Sequence, residues 1–153
     1  MTNDNAQTPG KRPIVESLDR AFARLYLELA ELIRRTPADQ LYAGTSSSSS
    51  TDSIASAVLR SAGVIEQTFG GITANLWDDP FEWTLPEYLS TPEKLLGYLS
   101  EVEATRGRAF LSFADDDCLL QLIATPSGTR PLVDLLLETL TRAAAYHGVA
   151  SPH

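Results

Sequence analysis

The sequence predicts an all-α protein built as a four-helix bundle, on three observations. Four segments repeat apolar residues at alternating three- and four-residue steps, the period of a helix with one buried face. No segment shows the convincing two-residue alternation of a half-buried strand. The chain has 153 residues, 43% of them apolar, which is enough to fill one hydrophobic core and too little for two.

Residues 1–12 are polar and contain Pro9 and Gly10, and they are expected to form a flexible N-terminal arm. The bundle domain is placed at residues 13–149, followed by a short tail, 150–153. Pro13 suits the first position of a helix, where its missing N–H costs nothing. Ile14, Leu18, Ala21, Leu25, Leu29 and Leu32 then form a stripe that Phe22 and Tyr26 widen. This first helix is expected to end near Arg35, because Pro37 disfavours α geometry at Thr36. Residues 36–50 form a connection closing with the five serines Ser46–Ser50, which have little to bury. Thr51 or Asp52 is the expected cap of the second helix.

The second helix is expected over residues 53–76, with the stripe Ile54, Val58, Ser61, Ile65, Phe69, Ile72 and Leu76, and Ala57 and Ala62 beside it. Gly70-Gly71 softens its last turn, by up to about 1 kcal/mol per glycine relative to alanine. WDDPFEWTLPEYLS follows as a loop whose Trp77, Phe81, Trp83 and Tyr88 cover one end of the core. Thr91 as cap, Pro92 at the first position and Glu93 at the positive end of the helix dipole open the third helix. Leu95, Leu99, Val102, Ala109 and Phe113 line one side of it to about residue 113, and Arg106 falls on the same stripe. The apolar run 118–123 reads equally as a helical turn or a short strand. The fourth helix is expected from Arg130-Pro131, with Val133, Leu136, Leu140, Ala143 and His147 in its stripe and Leu132, Leu135 and Leu137 thickening it. Gly148 is its natural C′ residue. The connections are long enough for crossovers, so the order of helices around the bundle stays open.

The net charge of −8, from 20 acidic and 12 basic residues, disfavours broad contact with nucleic acid or an anionic membrane surface. No apolar run approaches the ~20 residues of a membrane-spanning helix. The first residues lack the apolar core of a signal peptide. Cys118 is the single cysteine, so no internal disulfide forms and a cytoplasmic setting is expected.

Three polar residues fall where packing alone would favour hydrocarbon: Ser61, Arg106 and His147. Bundle interiors are where such folds build ligand and metal sites. His147 can ligate a metal or act as a base. It can equally stand as a cation at the carbonyl end of the last helix. Ser61 has no histidine and acid in triad spacing, and its hydroxyl can bond a carbonyl one turn back. Arg106 suits an anionic substrate, or an internal pair with Glu66, Glu103 or Glu138. Asp115-Asp116-Asp117 and Asp78-Asp79 lack the alternating ligand spacing of a calcium loop, and they read as solvated turns and helix-end groups. Gly70-Gly71 and the PSG turn lack the strand and lysine of a phosphate-binding loop. Cys118, beside Leu119 and Leu120, reads as apolar filler.

The leucine-rich first helix, the TPADQLYAG connection, SIASAVLRSAGVIE and above all the closing LVDLLLETLTRAAAYHG resemble the DinB-like or YfiT-like four-helix-bundle family over residues 14–149. The resemblance implies a divalent metal held by one histidine of the second helix and by two histidines four residues apart in the last. His147 matches the second of that pair. Ala143 stands where the first would fall, and Ser61, or Arg60 in a register shifted by one, where the second-helix histidine would fall. Glu66 and Glu138 are the carboxylates that would help recruit a metal, and neither shares the stripe. The expectation is a small-ligand-binding or non-catalytic bundle, homodimeric, without a cofactor. The alternative is a divergent thiol-dependent transferase or isomerase with a pocket around His147 and Arg106, or a retained Zn, Ni or Mn ion.

Overall fold

The computed structural model describes residues 10–43, 53–78 and 90–150. The five serines, the aromatic loop from residue 79 to 89 and His153 lie outside the described residues. The elements in order are α1 (Pro13–Arg35), a single turn α2 (Ala38–Leu41), α3 (Ile54–Ala74), α4 (Pro92–Leu111), a 3₁₀ turn (Asp116–Leu120), β1 (Leu122–Thr125), β2 (Gly128–Pro131) and α5 (Leu132–Ala150). The long helices α1, α3, α4 and α5 are the four that periodicity predicts.

Side-chain pairs settle how they are arranged. Asp19 meets Arg106 and Arg12 meets the carbonyl of Phe113, so α1 and α4 run antiparallel. Ser61 meets Ala143 and Thr68 meets Thr139, so α3 and α5 are also antiparallel. The helices touch in the cyclic order α1–α4–α3–α5, which sets α1 diagonal to α3 and α4 diagonal to α5. Both diagonal connections therefore cross an end of the bundle. The second of them carries the 3₁₀ turn and an antiparallel hairpin in which Leu122 pairs with Pro131 and Thr125 with Gly128.

The run 118–123, open between a turn and a strand, divides into the end of the 3₁₀ turn and the start of β1, and the hairpin corrects the expectation of a last helix starting at Arg130-Pro131, since both residues lie in β2. Strands of four residues are too short to show alternation in sequence, though the burial does alternate along β1. Gly128 takes a φ of 126°, which leaves this turn position to glycine.

The core follows the predicted stripes with four corrections. Ile14 is 54% exposed, and Val15, fully buried, takes its place, because the capped end of α1 turns Ile14 outward. Leu76 is 61% exposed because α3 stops at Ala74. Left-handed Asn75 sends the N–H of Leu76 back to the Gly70 carbonyl, and the Trp77 ring lies so close on Gly71 that a Cβ there would collide with it. Leu137 is half exposed. Gly148 lies inside α5, not beyond its end. Helix α3 is buried almost all round: Leu59, Gly63, Val64 and Thr68 are covered as well as the predicted stripe, as suits a helix packed between α4 and α5. At the centre Phe22 of α1, Phe69 of α3 and Phe110 of α4 form a triangle with ring centroids 5.7–5.9 Å apart.

The end of the bundle is locked by two reciprocal caps. The start of α1 has no cap from its own Arg12, and the carboxylate of Asp116 accepts the N–H groups of Ile14 and Val15 instead, at 2.9–3.1 Å. Arg12 in turn donates to the carbonyls of Phe113 and Phe110 at the end of α4. The N–H of Asp116 donates to Lys11. Lys11 and Arg12, assigned to the flexible arm by composition, thus belong to the fold. Asp116→Ala is expected to lower unfolding free energy by about 1–2 kcal/mol, and Asp116→Asn by less, measured by urea denaturation. Equal midpoints for wild type and Asp116→Ala would contradict this cap.

Candidate functional site

The three polar residues of the predicted stripes come to three different places. Ser61 and Ala143 face each other across the α3–α5 contact, both 0% exposed, and the Ser61 hydroxyl donates to the Ala143 carbonyl at 2.8 Å. The bond runs between helices, not one turn back within α3 as its local chemistry suggests. Seven residues further along α3 and one turn earlier in α5, Thr68 and Thr139 repeat the pattern with hydroxyls 2.6 Å apart. Small polar side chains at both levels let the two helices approach closely while every buried hydroxyl stays bonded.

Arg106 is 3% exposed on the other side of the bundle, between α1 and α4. Its Nε and one terminal nitrogen grip both oxygens of Glu103 at 3.0 and 2.7 Å, and the other terminal nitrogen donates to Asp19 at 2.5 Å. Its guanidinium lies over the rings of Phe110 and Phe22, at 5.0 and 5.7 Å from their centroids. Burial pulls the guanidinium's pKa down, and the hydrogen bonds and charges of Glu103 and Asp19 outweigh it, so the pKa stands above its usual value. Of the partners considered from sequence, Glu103 is confirmed. Glu66 is bonded by Tyr98 and Glu138 by Arg130, while Asp19, a residue of the first helix, is the partner periodicity within one helix could not name.

His147 lies in the last turn of α5, partly exposed, with its Nδ1 4.0 Å from the Glu28 carboxylate of α1. No hydrogen bond or ion pair joins any two of Ser61, Arg106 and His147. Positions 61 and 143, which the family resemblance pairs, do meet. Yet one hydroxyl is committed to a carbonyl, one side chain is a methyl group, and one imidazole faces a different helix. That donor set does not fit a divalent metal, which takes three or more protein ligands. Among the described residues no group of three or more His, Cys, Asp or Glu is placed to hold a metal ion. The aspartate run serves helix ends: Asp115 caps the 3₁₀ turn and Asp116 caps α1. Cys118 is half-buried against the core.

A concave feature lies elsewhere among the described residues. Between α3 and α4 a groove of about 240 Å³ is lined by Glu66, Phe69, Gly70, Tyr98, Glu101, Val102 and Thr105. The Tyr98 hydroxyl donates to Glu66 at 2.5 Å. Sequence reading passed over Tyr98 and Glu101. Their signal was the face shared by Tyr98, Glu101 and Thr105 at three- and four-residue steps. Among the described residues no helix is long and apolar enough to cross a membrane. Compared with known protein families, with curated proteins and with solved structures, the chain matches none.

Replacing either Thr68 or Thr139 by Val strands the other hydroxyl in the core and is expected to cost about 1–2 kcal/mol. The double variant is expected to cost about 1 kcal/mol less than the sum of the singles, read as a coupling energy from chemical denaturation. Additive costs would show that the two hydroxyls are satisfied separately.

Proposed function

We propose that the chain is a small-ligand-binding bundle of the DinB-like kind, without the metal centre and without a catalytic constellation of its own. One observation carries this reading: the α3–α4 groove contains none of Ser61, Arg106 and His147. Ser61 and Arg106 are engaged in packing, His147 stands partly exposed at the end of α5, and the groove is lined by groups suited to holding a ligand. Where a transferase would need Arg106 open to an anionic substrate, its charge already lies against two carboxylates. Self-association through an exposed helical face belongs to the same reading, with Leu27 of α1 and Leu137 of α5 as exposed apolar groups on neighbouring helices.

Elemental analysis of untagged protein purified without chelator tests the absence of a metal centre. The expected result is sub-stoichiometric metal, and equal binding of Zn²⁺, Ni²⁺ and Mn²⁺ by wild type and His147→Ala. A near-stoichiometric metal that is lost in His147→Ala would overturn the reading in favour of a metalloenzyme.

A further inference from the structure

The two strands of the hairpin differ at their outer edges. Thr125 pairs with Gly128 at the turn, and the N–H of Leu132 donates to the Gln121 carbonyl at 2.8 Å. Antiparallel ladders alternate, so Gln121, Ile123 and Thr125 bond across to Leu132, Arg130 and Gly128. The N–H and C=O groups of Leu122 and Ala124 therefore point away from β2, and among the described residues no hydrogen bond reaches them. β2 packs against α5, while β1 has its main contact with β2. Folded chains blunt an open edge with lysine, proline or a bulge. β2 carries Pro131, which offers no N–H there. β1, with the sequence LIAT, carries none of these, and Leu122 and the preceding Leu120 are 64% and 70% exposed.

The charge pattern identifies what this edge accepts. A twofold contact sets each patch against its own copy, so any charge near the axis meets its like. The chain has a net charge of −8, yet no charged residue stands between Cys118 and Thr129. On the helices the exposed Leu27 lies among exposed Arg24, Glu28 and Glu31, and Leu137 beside exposed Asp134 and Glu138. We propose that β1 pairs antiparallel with β1 of a second copy, about a twofold axis at Ile123. Leu122 then exchanges both backbone hydrogen bonds with Ala124 of the second copy, a large side chain opposite a small one, and the symmetry repeats the pair. The joined sheet runs β2–β1–β1–β2, and both of its outer strands carry Pro131, so growth stops at the dimer. This assignment rests on the self-association in the reading above and places it at the strand edge instead of the helical face with Leu27 and Leu137.

Sedimentation velocity of the intact protein over a range of concentrations tests it, with circular dichroism as the check on folding. A reversible monomer–dimer equilibrium is expected. Ala124→Pro removes an outward N–H and leaves the bonds between β1 and β2 in place, and it is expected to weaken the dimer about tenfold or more. Leu122→Lys, at an exposed position, is expected to act in the same direction. Leu27→Glu/Leu137→Glu is expected to leave the equilibrium unchanged. Ile123 faces its own copy at a Cα spacing of about 4.5 Å, within disulfide reach. Ile123→Cys in a Cys118→Ser background is accordingly expected to oxidise to a covalent dimer, and Leu27→Cys in that background is not. If Leu27→Glu/Leu137→Glu dissolves the dimer while Ala124→Pro and Leu122→Lys retain it, the strand assignment is overturned and self-association stands. Assemblies larger than a dimer would also overturn it. A wild type that stays monomeric up to about 1 mM, the weak end of specific association, would overturn both.

Discussion

A guanidinium buried between α1 and α4, over the rings of Phe22 and Phe110, organises this bundle. Arg106 is an unfavourable choice for a core stripe unless its charge and its N–H groups are answered, since a buried unpaired charge is costly. Glu103 answers from one turn earlier in α4 with a two-point contact, and Asp19 answers from α1. Both acids reach water, Asp19 more than Glu103, so the network pays less desolvation than a fully interior triad would. Beneath it the Phe22–Phe69–Phe110 triangle fills the centre and ties the diagonal helices α1 and α3 to each other and to α4. The pairing of α1 with α4 is written in this one cluster.

The remaining contacts complete that arrangement. Arg12 and Asp116 exchange caps between the start of α1 and the end of α4, at the same pair of helices that Arg106 joins. On the opposite pair, Ser61 and Thr68 of α3 bond Ala143 and Thr139 of α5. The two antiparallel pairs are thus held by different chemistry, ionic in one and hydroxylic in the other. The groove lies where the pairs meet, between α3 and α4.

Much of this was legible in residues read one helix at a time. Thr91 caps α4 with Pro92 behind it, as local grammar predicts, and the buried Leu18, Phe22, Leu25 and Leu29 follow the helical period. What could not be read was chemistry between helices. Phe110 stands one position from the predicted stripe of α4, and Asp116 reads as part of a solvated acidic run although it caps α1. Ser61 was correctly placed inward, but whether it faced a substrate, a metal or a carbonyl depended on α5, eighty residues away. The groove was invisible for the same reason, because Glu66 and Glu101 share no periodicity and become neighbours through packing alone. A short strand is open in the run 118–123, but β2 and the pairing are not legible, because four-residue strands carry too little pattern.

The central claim is that the charge of Arg106 is committed inside the fold and offers nothing to a substrate. Guanidinium ¹⁵N–¹H spectra test it directly. The account predicts a resolved Arg106 Nε–H signal that exchanges slowly with water and does not move on titration with phosphate or a thiol carboxylate. It also predicts that this signal collapses into the exchanging pool in Asp19→Asn/Glu103→Gln. A fast-exchanging signal in the wild type, or one that shifts saturably with either anion, would contradict the account and make Arg106 a substrate-binding residue.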